Sequence, residues 1–287
     1  MAEGIPILPN HPSNPAGQTA RIRRANRVTT KQLRAVKKWL SKKFLRIPFE
    51  RIVTNQVRYE YEISATELSR VSAEIETRMV LEGNNQVIVN QAISAYEDGT
   101  GQSVTNLLNI SDDYTRSITK VLRSSAYQKR VALASSRVFE EMKGFDVATS
   151  KRLGSVLAQA IDDGVNPTQI VNKLSTEFGI SKARAKRIAR TEITGALRRA
   201  RWDEARDAQE NLSIRLKMMH LSALSPTTRE THSERHGSLF TVKETREFYA
   251  VDANGINCKC SQIEVLTNPN GSPTTPGIVD KVKSARP

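Results

Sequence analysis

The chain has 287 residues and 38% hydrophobic content, enough for one or two domains with adequate but not rich cores. A formal net charge of +14 and a pI near 10.0 favour a polyanionic partner, of which nucleic acid is the commonest. No apolar run is long enough to cross a bilayer, Met1 to Asn14 lacks the basic and apolar regions of a secretory signal, and two cysteines spaced i, i+2 offer no disulfide framework, so membrane-spanning and secreted classes are excluded and a reducing cytoplasm is expected.

Four prolines, with Asn and Gly, make residues 1–20 read as an extended or disordered arm. Thr29 or Thr30 can cap a helix to about Phe44, with Leu33, Val36, Leu40 and Phe44 on one face and Lys/Arg on the others, stopped by Pro48. Residues 55–142 read as helices broken at Gly83-Asn84-Asn85, Asp98-Gly99-Thr100-Gly101 and Ser111-Asp112-Asp113. A domain boundary is expected at Lys143-Gly144. Three helices follow: one through Leu153, Val156, Leu157, Ala160 and Ile161 ending at Asp163-Gly164, one opened by Asn166-Pro167 and ending at Gly179, and a basic one capped by Ser181 and running to about Asp207. Residues 214–221 alternate as a strand, with His220 sharing the side of Ile214, Leu216 and Met218. Weaker strands fall at 239–242 and 262–266, and a loose tail follows. The expected fold is mainly α, with a small α+β C-terminal module and extended N- and C-terminal arms. It divides into a basic arm (1–28), a helical domain (29–143), a C-terminal domain (144–266) and a flexible tail (267–287).

The charge is concentrated. Arg21 to Arg51 holds twelve Lys/Arg and one acid, and Lys182 to Arg201 holds eight and one, so the remainder of the chain is slightly acidic. Two basic patches on a near-neutral body suit phosphate contact. The candidate nucleic-acid contacts are Arg21, Arg23, Arg24, Arg27, Lys31, Arg34, Lys37, Lys38, Lys42 and Lys43. The amphipathic segment 30–44 also suits an anionic membrane surface or docking on a protein ring, and the residues do not select among these.

His232 and His236 at i, i+4, with Cys258 and Cys260, offer a tetrahedral Cys₂His₂ set of the kind that holds zinc; packed thiols and surface imidazoles are the plainer alternative. Arg190, Thr191 and Glu192 are contiguous on a helix, unlike the separated strands an ADP-ribosyltransferase cleft needs; a solvated helix face is the plainer reading, and a buried Glu192 accepting from Arg229 or from backbone of the C-terminal module is the alternative. Residues 168–190 also fit the outline of a helix-turn-helix with its turn at Phe178-Gly179-Ile180. No phosphate loop, nucleophile elbow or carboxylate pair is present, though a metal-dependent nuclease or toxin centred on the histidines and cysteines remains a reading.

Three ordered blocks carry a resemblance: Ala185 through Glu192 with Ala200-Arg201; Thr228-Arg229-Glu230-Thr231-His232 with His236-Gly237; and Gly255-Ile256-Asn257-Cys258-Lys259-Cys260. From about Leu153 to Ile263 the chain resembles the Mu F-like family of phage head morphogenesis (minor head) proteins, and it departs from the family pattern at Ser225, Thr227 and Ile256. The resemblance implies a non-enzymatic virion protein, made in the host bacterial cytoplasm and placed inside the capsid near the portal. Its implied partners are the portal protein, packaged double-stranded DNA and scaffold or major capsid protein. Residues 144–266 are then the family domain, with Arg190, Thr191, Glu192 and Arg229 as its structural motif.

Overall fold

The computed structural model describes residues 4–81 and 85–285. In chain order the elements are α1 (Thr19–Phe44), β1 (Phe49–Val53), β2 (Val57–Tyr61), α2 (Ala65–Leu81), α3 (Asn85–Ile110), α4 (Ile118–Arg123), α5 (Ser125–Asp162), α6 (Pro167–Leu212), β3 (Leu216–Leu221), α7 (Glu230–Glu234), β4 (Leu239–Phe240), α8 (Val242–Ala250), β5 (Ser261–Leu266) and α9 (Ile278–Ser284). The fold is mainly α with a small C-terminal sheet module, as composition and periodicity indicate. Contacts cluster into two units: Met1–Arg23, Val89–Val138 and Ala189–Pro287 form one, and Arg24–Ile88 and Phe139–Ile188 form the other.

In the second unit, α1 buries Leu33, Val36, Leu40 and Phe44, the face expected from their spacing. The helix starts at Thr19, ten residues before the expected Thr29 cap, so residues 19–28 are helical rather than part of an extended arm. Ala25 and Thr29 are buried on the same face, and the Thr29 hydroxyl donates to Ala25 O instead of capping. The antiparallel hairpin β1–β2, registered Phe49↔Tyr61 to Val53↔Val57, departs from the helical reading of this region, because its aromatics alternate with a two-residue period. It is tied down by Tyr59 N–H to Gly164 O (3.0 Å) and Tyr61 Oη to Val165 O (2.6 Å). The Lys143-Gly144 position lies inside α5.

Two expected helix breaks do not occur, for different reasons. Asp98-Gly99-Thr100-Gly101 lies within α3. There Gly99 lets α3 approach α6, since an added Cβ would stand 2.4 Å from Leu197 O. Gly179 lies exposed within α6, where glycine costs about 1 kcal/mol relative to alanine. Flanking packing at Leu174, Phe178 and Ala185 keeps the helix going. Residues 168–190 therefore form one uninterrupted helix, and the helix-turn-helix reading loses its turn. The Ser111-Asp112-Asp113 break holds, as do Gly164 (φ +64°) and the Asn166 cap, whose Oδ1 accepts from Thr168 N–H at 2.8 Å. Gly83 and Asn84, part of the third expected break, lie outside the described residues, and Asn85 opens α3.

In the first unit a three-stranded antiparallel sheet, ordered β4-β3-β5, separates two apolar layers. Ile214, Leu216, Met218 and Leu266 cluster with α3 and α6 residues such as Leu107, Trp202 and Ala205. On the other face, Met219, Leu221, Ile263 and Val265 cluster with Ile278 and Val282 of α9. The segment 278–284, read from sequence as loose tail, is thus a helix that covers the sheet. Residues 5–7 belong to no helix or strand and are bonded to α3 through Asn109 Nδ2 to Ile5 O and Ile7 N–H to Asn106 Oδ1.

A buried carboxylate fastens sheet to helices. Glu264 of β5 is fully buried and accepts from Ser103 Oγ (2.7 Å), Asn106 Nδ2 (2.9 Å) and Arg201 Nη2 (3.0 Å). Burial opposes its ionisation, but Arg201 and these donors outweigh burial and hold the carboxyl below its usual range.

Candidate functional site

The site is built where the middle of α6, the end of β3, α7 and the loop before β5 meet within the first unit. The Arg190-Thr191-Glu192 segment holds that loop. Arg190 Nη1 donates to Asn257 Oδ1 (2.8 Å), Thr191 Oγ1 accepts from Asn257 N–H (2.9 Å), and Thr194 Oγ1 donates to Cys258 O (3.0 Å). Asn257 itself has φ +55°, a left-handed turn that asparagine tolerates better than most side chains.

Glu192 is buried but does not meet Arg229. It pairs with Arg199 (3.5 Å) and Arg137 (3.6 Å). Arg229 instead donates to Ile256 O (2.7 Å) and Asn254 O (3.3 Å), closing the same loop from the α7 side. The motif residues are brought together around one loop, with Glu192 facing the other way along α6.

Of the four expected metal ligands, three converge. His232 Nδ1 stands 3.5 Å from Cys258 Sγ and 3.6 Å from Cys260 Sγ, and all three side chains are buried. His236 does not join them. Its Nδ1 accepts from Ser222 N–H (3.1 Å) and its Nε2 donates to Val282 O (2.9 Å), so both ring nitrogens brace the end of β3 against α9. The reason is local: α7 ends at Glu234, so the i, i+4 helical spacing does not carry through to His236. Gly237 (φ +74°) then turns back to donate to His220 O at 2.8 Å.

The place expected for His236 is taken by His220 of β3. His220, His232 and Cys260 offer ligand atoms within 4.8 Å of one another. His220 was visible in sequence only as a polar residue on the apolar side of its strand. Its ring is sandwiched among His232, Phe248 and Tyr249. Its Nδ1 is 3.5 Å from Gln262 Nε2, and its Nε2 is buried with no hydrogen-bond partner among the described residues.

Electrostatics in this cluster are uneven. Hydrogen bonding from Cys260, then the Arg198 and His232 side chains, hold the Cys258 thiol well below its ordinary range against the opposing effect of burial. Cys260, the donor of that pair and buried itself, is pushed up. Burial drives His220 down to about 3 and keeps its ring neutral. Arg198 was missed in the sequence reading. It is 2% exposed, stacks over the Tyr249 ring at 4.4 Å and donates to Cys260 O (3.3 Å) and Gly255 O (3.4 Å), placing a fixed positive charge behind the thiols.

The expected nucleic-acid residues lie on α1. Arg24, Arg27, Lys31, Arg34, Lys38 and Lys42 are exposed, whereas Arg21, Lys37 and Lys43 are half-buried and Arg21 and Lys43 are paired with Asp98 and Glu74. Arg23 is exposed as well. At about 100° per residue those six fall within an arc of roughly 80° and extend roughly 27 Å along the axis. No acid occurs anywhere in the helix. The second basic segment divides. Arg184, Lys186 and Arg187 are exposed, but Arg198 and Arg201 are buried and spent on the loop carbonyls and Glu264.

Residues 151–263 match the family described as Phage Mu protein F like protein. The chain therefore carries a Phage Mu F-like segment that includes α6, β3, α7, β4, α8 and the first half of β5. Comparison with curated proteins and with solved structures returned no match. No described helix is long and apolar enough to cross a membrane.

Proposed function

We propose that the protein is a minor head protein of a tailed phage. It sits inside the capsid near the portal, contacts packaged double-stranded DNA, and aids head assembly, packaging or genome ejection without catalysing a reaction. The Mu F-like match over 151–263 carries this reading. The basic stripe of α1 supports the DNA contact. Six exposed cations on one face, with no ion pair to any of them among the described residues, are arranged to neutralise a row of phosphates without reading bases. The portal protein, and scaffold or major capsid protein, are the proposed protein partners.

Two measurements test this. Quantitative mass spectrometry of purified particles should find the chain at a few copies per head, and fluorescence anisotropy should show duplex binding that is independent of sequence and falls steeply with salt. Absence from intact particles would end the head-protein reading. Tight binding to one site over random duplex, by the factor of roughly 10³ or more typical of regulators, would replace it with a regulatory one.

A further inference from the structure

We propose that His220, His232, Cys258 and Cys260 form a buried site for one tetrahedral, thiophilic divalent cation of the zinc class. The geometry is the first ground. Thiolate and imidazole ligands at about 2.3 Å and about 2.05 Å from a tetrahedral ion stand about 3.55 Å apart. The two sulfur-to-Nδ1 separations at His232 are 3.5 and 3.6 Å. His220 offers a nitrogen within 4.8 Å of both His232 and Cys260.

The second ground is independent of spacing. His220 Nε2 is a polar atom on a residue 1% exposed, with no partner among the described residues. A buried group left in that state costs about 1–3 kcal/mol unless something not made of protein satisfies it. The surroundings supply what a metal–thiolate centre needs. Cys260 N–H donates to Cys258 Sγ (3.3 Å), Tyr249 Oη lies 3.8 Å from the same sulfur, and Ser222 Oγ lies 3.8 Å from Cys260 Sγ. Arg198 adds positive charge behind two thiolates that leave the centre neutral overall.

Loading moves protons in a defined way. Any proton on the Cys258 and Cys260 thiols leaves to solvent. His232 binds through Nδ1 and carries its proton on Nε2, so the 3.4 Å contact to Arg229 Nη1 opens while Arg229 keeps its carbonyls. His220 binds through Nε2 and carries its proton on Nδ1. Gln262, whose Oε1 accepts from Trp202 Nε1 at 2.9 Å, turns that oxygen to the ring. Trp202 therefore reports on occupancy.

The test uses the full chain purified without chelator. Elemental mass spectrometry should find about one equivalent of zinc, and His236→Gln should keep it while His220→Ala and Cys260→Ser each reduce it below about a tenth. Should a ligand variant fail to fold, cobalt exchange of the unaltered chain decides. Tetrahedral d–d bands with thiolate charge transfer, accompanied by a change in Trp202 emission, support the site. Less than about a tenth of an equivalent after incubation with zinc and gel filtration overturns it. So does an octahedral cobalt spectrum, or equal metal loss in folded His236→Gln and His220→Ala. None of these readouts depends on DNA binding or particle association, so the metal site and the head-protein reading fail separately.

Discussion

Removing Arg201 should damage the first unit far more than removing Arg201 and the charge of Glu264 together. Glu264 is enclosed by the sheet, α3 and α6, and Arg201 Nε (3.3 Å) and Nη2 (3.0 Å) are its only cationic contacts among the described residues. Arg201→Met leaves a carboxylate with two neutral donors, Ser103 and Asn106, in a dry interior. Breaking one side of a buried pair costs about 3–5 kcal/mol, whereas replacing both partners with neutral groups of similar volume is often close to neutral. Arg201→Met combined with Glu264→Gln should therefore recover at least about 2 kcal/mol of the single-variant loss. Because the chain forms two units, unfolding should be followed by Trp202 emission in urea, with Trp39→Phe in the background so that only the first unit reports. The pH dependence adds a sign. Glu264 is held below 4.5, so its ionised pairing stabilises the fold above that pH and is lost as pH falls through the lowered value. In Arg201→Met that advantage is gone, so its deficit should shrink on acidification from pH 7 toward 4. A loss under about 1 kcal/mol for Arg201→Met, or a double variant equal to the sum of its singles, would refute this account of the network.

Other consequences are simpler to state. If α1 carries the DNA contact, Arg27→Gln with Lys31→Gln and Arg34→Gln should lower the slope of log affinity against log salt by about 2.7, and an unchanged slope places the contact elsewhere. The buried carboxyl of Asp146 accepts one hydrogen bond among the described residues, from Asn85 Nδ2 (2.9 Å), and burial lifts it to about 6. Its protonated form is the one the fold favours, so stability should fall by up to about 3 kcal/mol as pH rises from roughly 4 to 6, then level off. Asp146→Asn should flatten that step in thermal melts, and an unaltered profile would show another group responsible. Gly99→Ala should destabilise by about 1–3 kcal/mol despite alanine's better helix propensity, because the new methyl meets the Leu197 carbonyl oxygen; a more stable variant in the same melts would show that α3 and α6 separate easily.

What sequence disclosed and what it concealed follow the range of the interactions involved. Apolar periodicity located the buried faces of α1 and α5 and strand β3, because burial of one face is recorded locally. Glycine and proline punctuation worked where the backbone needed it, at Gly164 and Asn166-Pro167, and misled at Gly99, where the missing side chain serves a neighbouring helix. That neighbour is about a hundred residues away, so nothing near Gly99 announces it. Arg198 and Arg201 misled in the same manner. A run of cations reads as one solvated surface, but a helix distributes them around its axis, and the positions facing inward were filled by arginines with buried partners from the sheet module.

The His/Cys cluster shows the same rule at the candidate site. Residue type alone makes His232 and the two cysteines conspicuous, and i, i+4 spacing adds His236 because it puts two rings on one helix face. That inference required α7 to continue, and it stops at Glu234. The strand partner, His220, carries the stronger structural mark: a histidine on the side of β3 that otherwise presents Ile214, Leu216 and Met218. In an alternating strand, the ring on the apolar side must find a polar partner or remain unsatisfied. Its Nδ1 lies near Gln262, its Nε2 has no hydrogen-bond partner among the described residues, and the ring offers a nitrogen within 4.8 Å of His232 and Cys260. A polar residue that breaks an apolar alternation is therefore a better guide to this centre than helical spacing, because it records the cost of burial rather than a helix that must first be assumed.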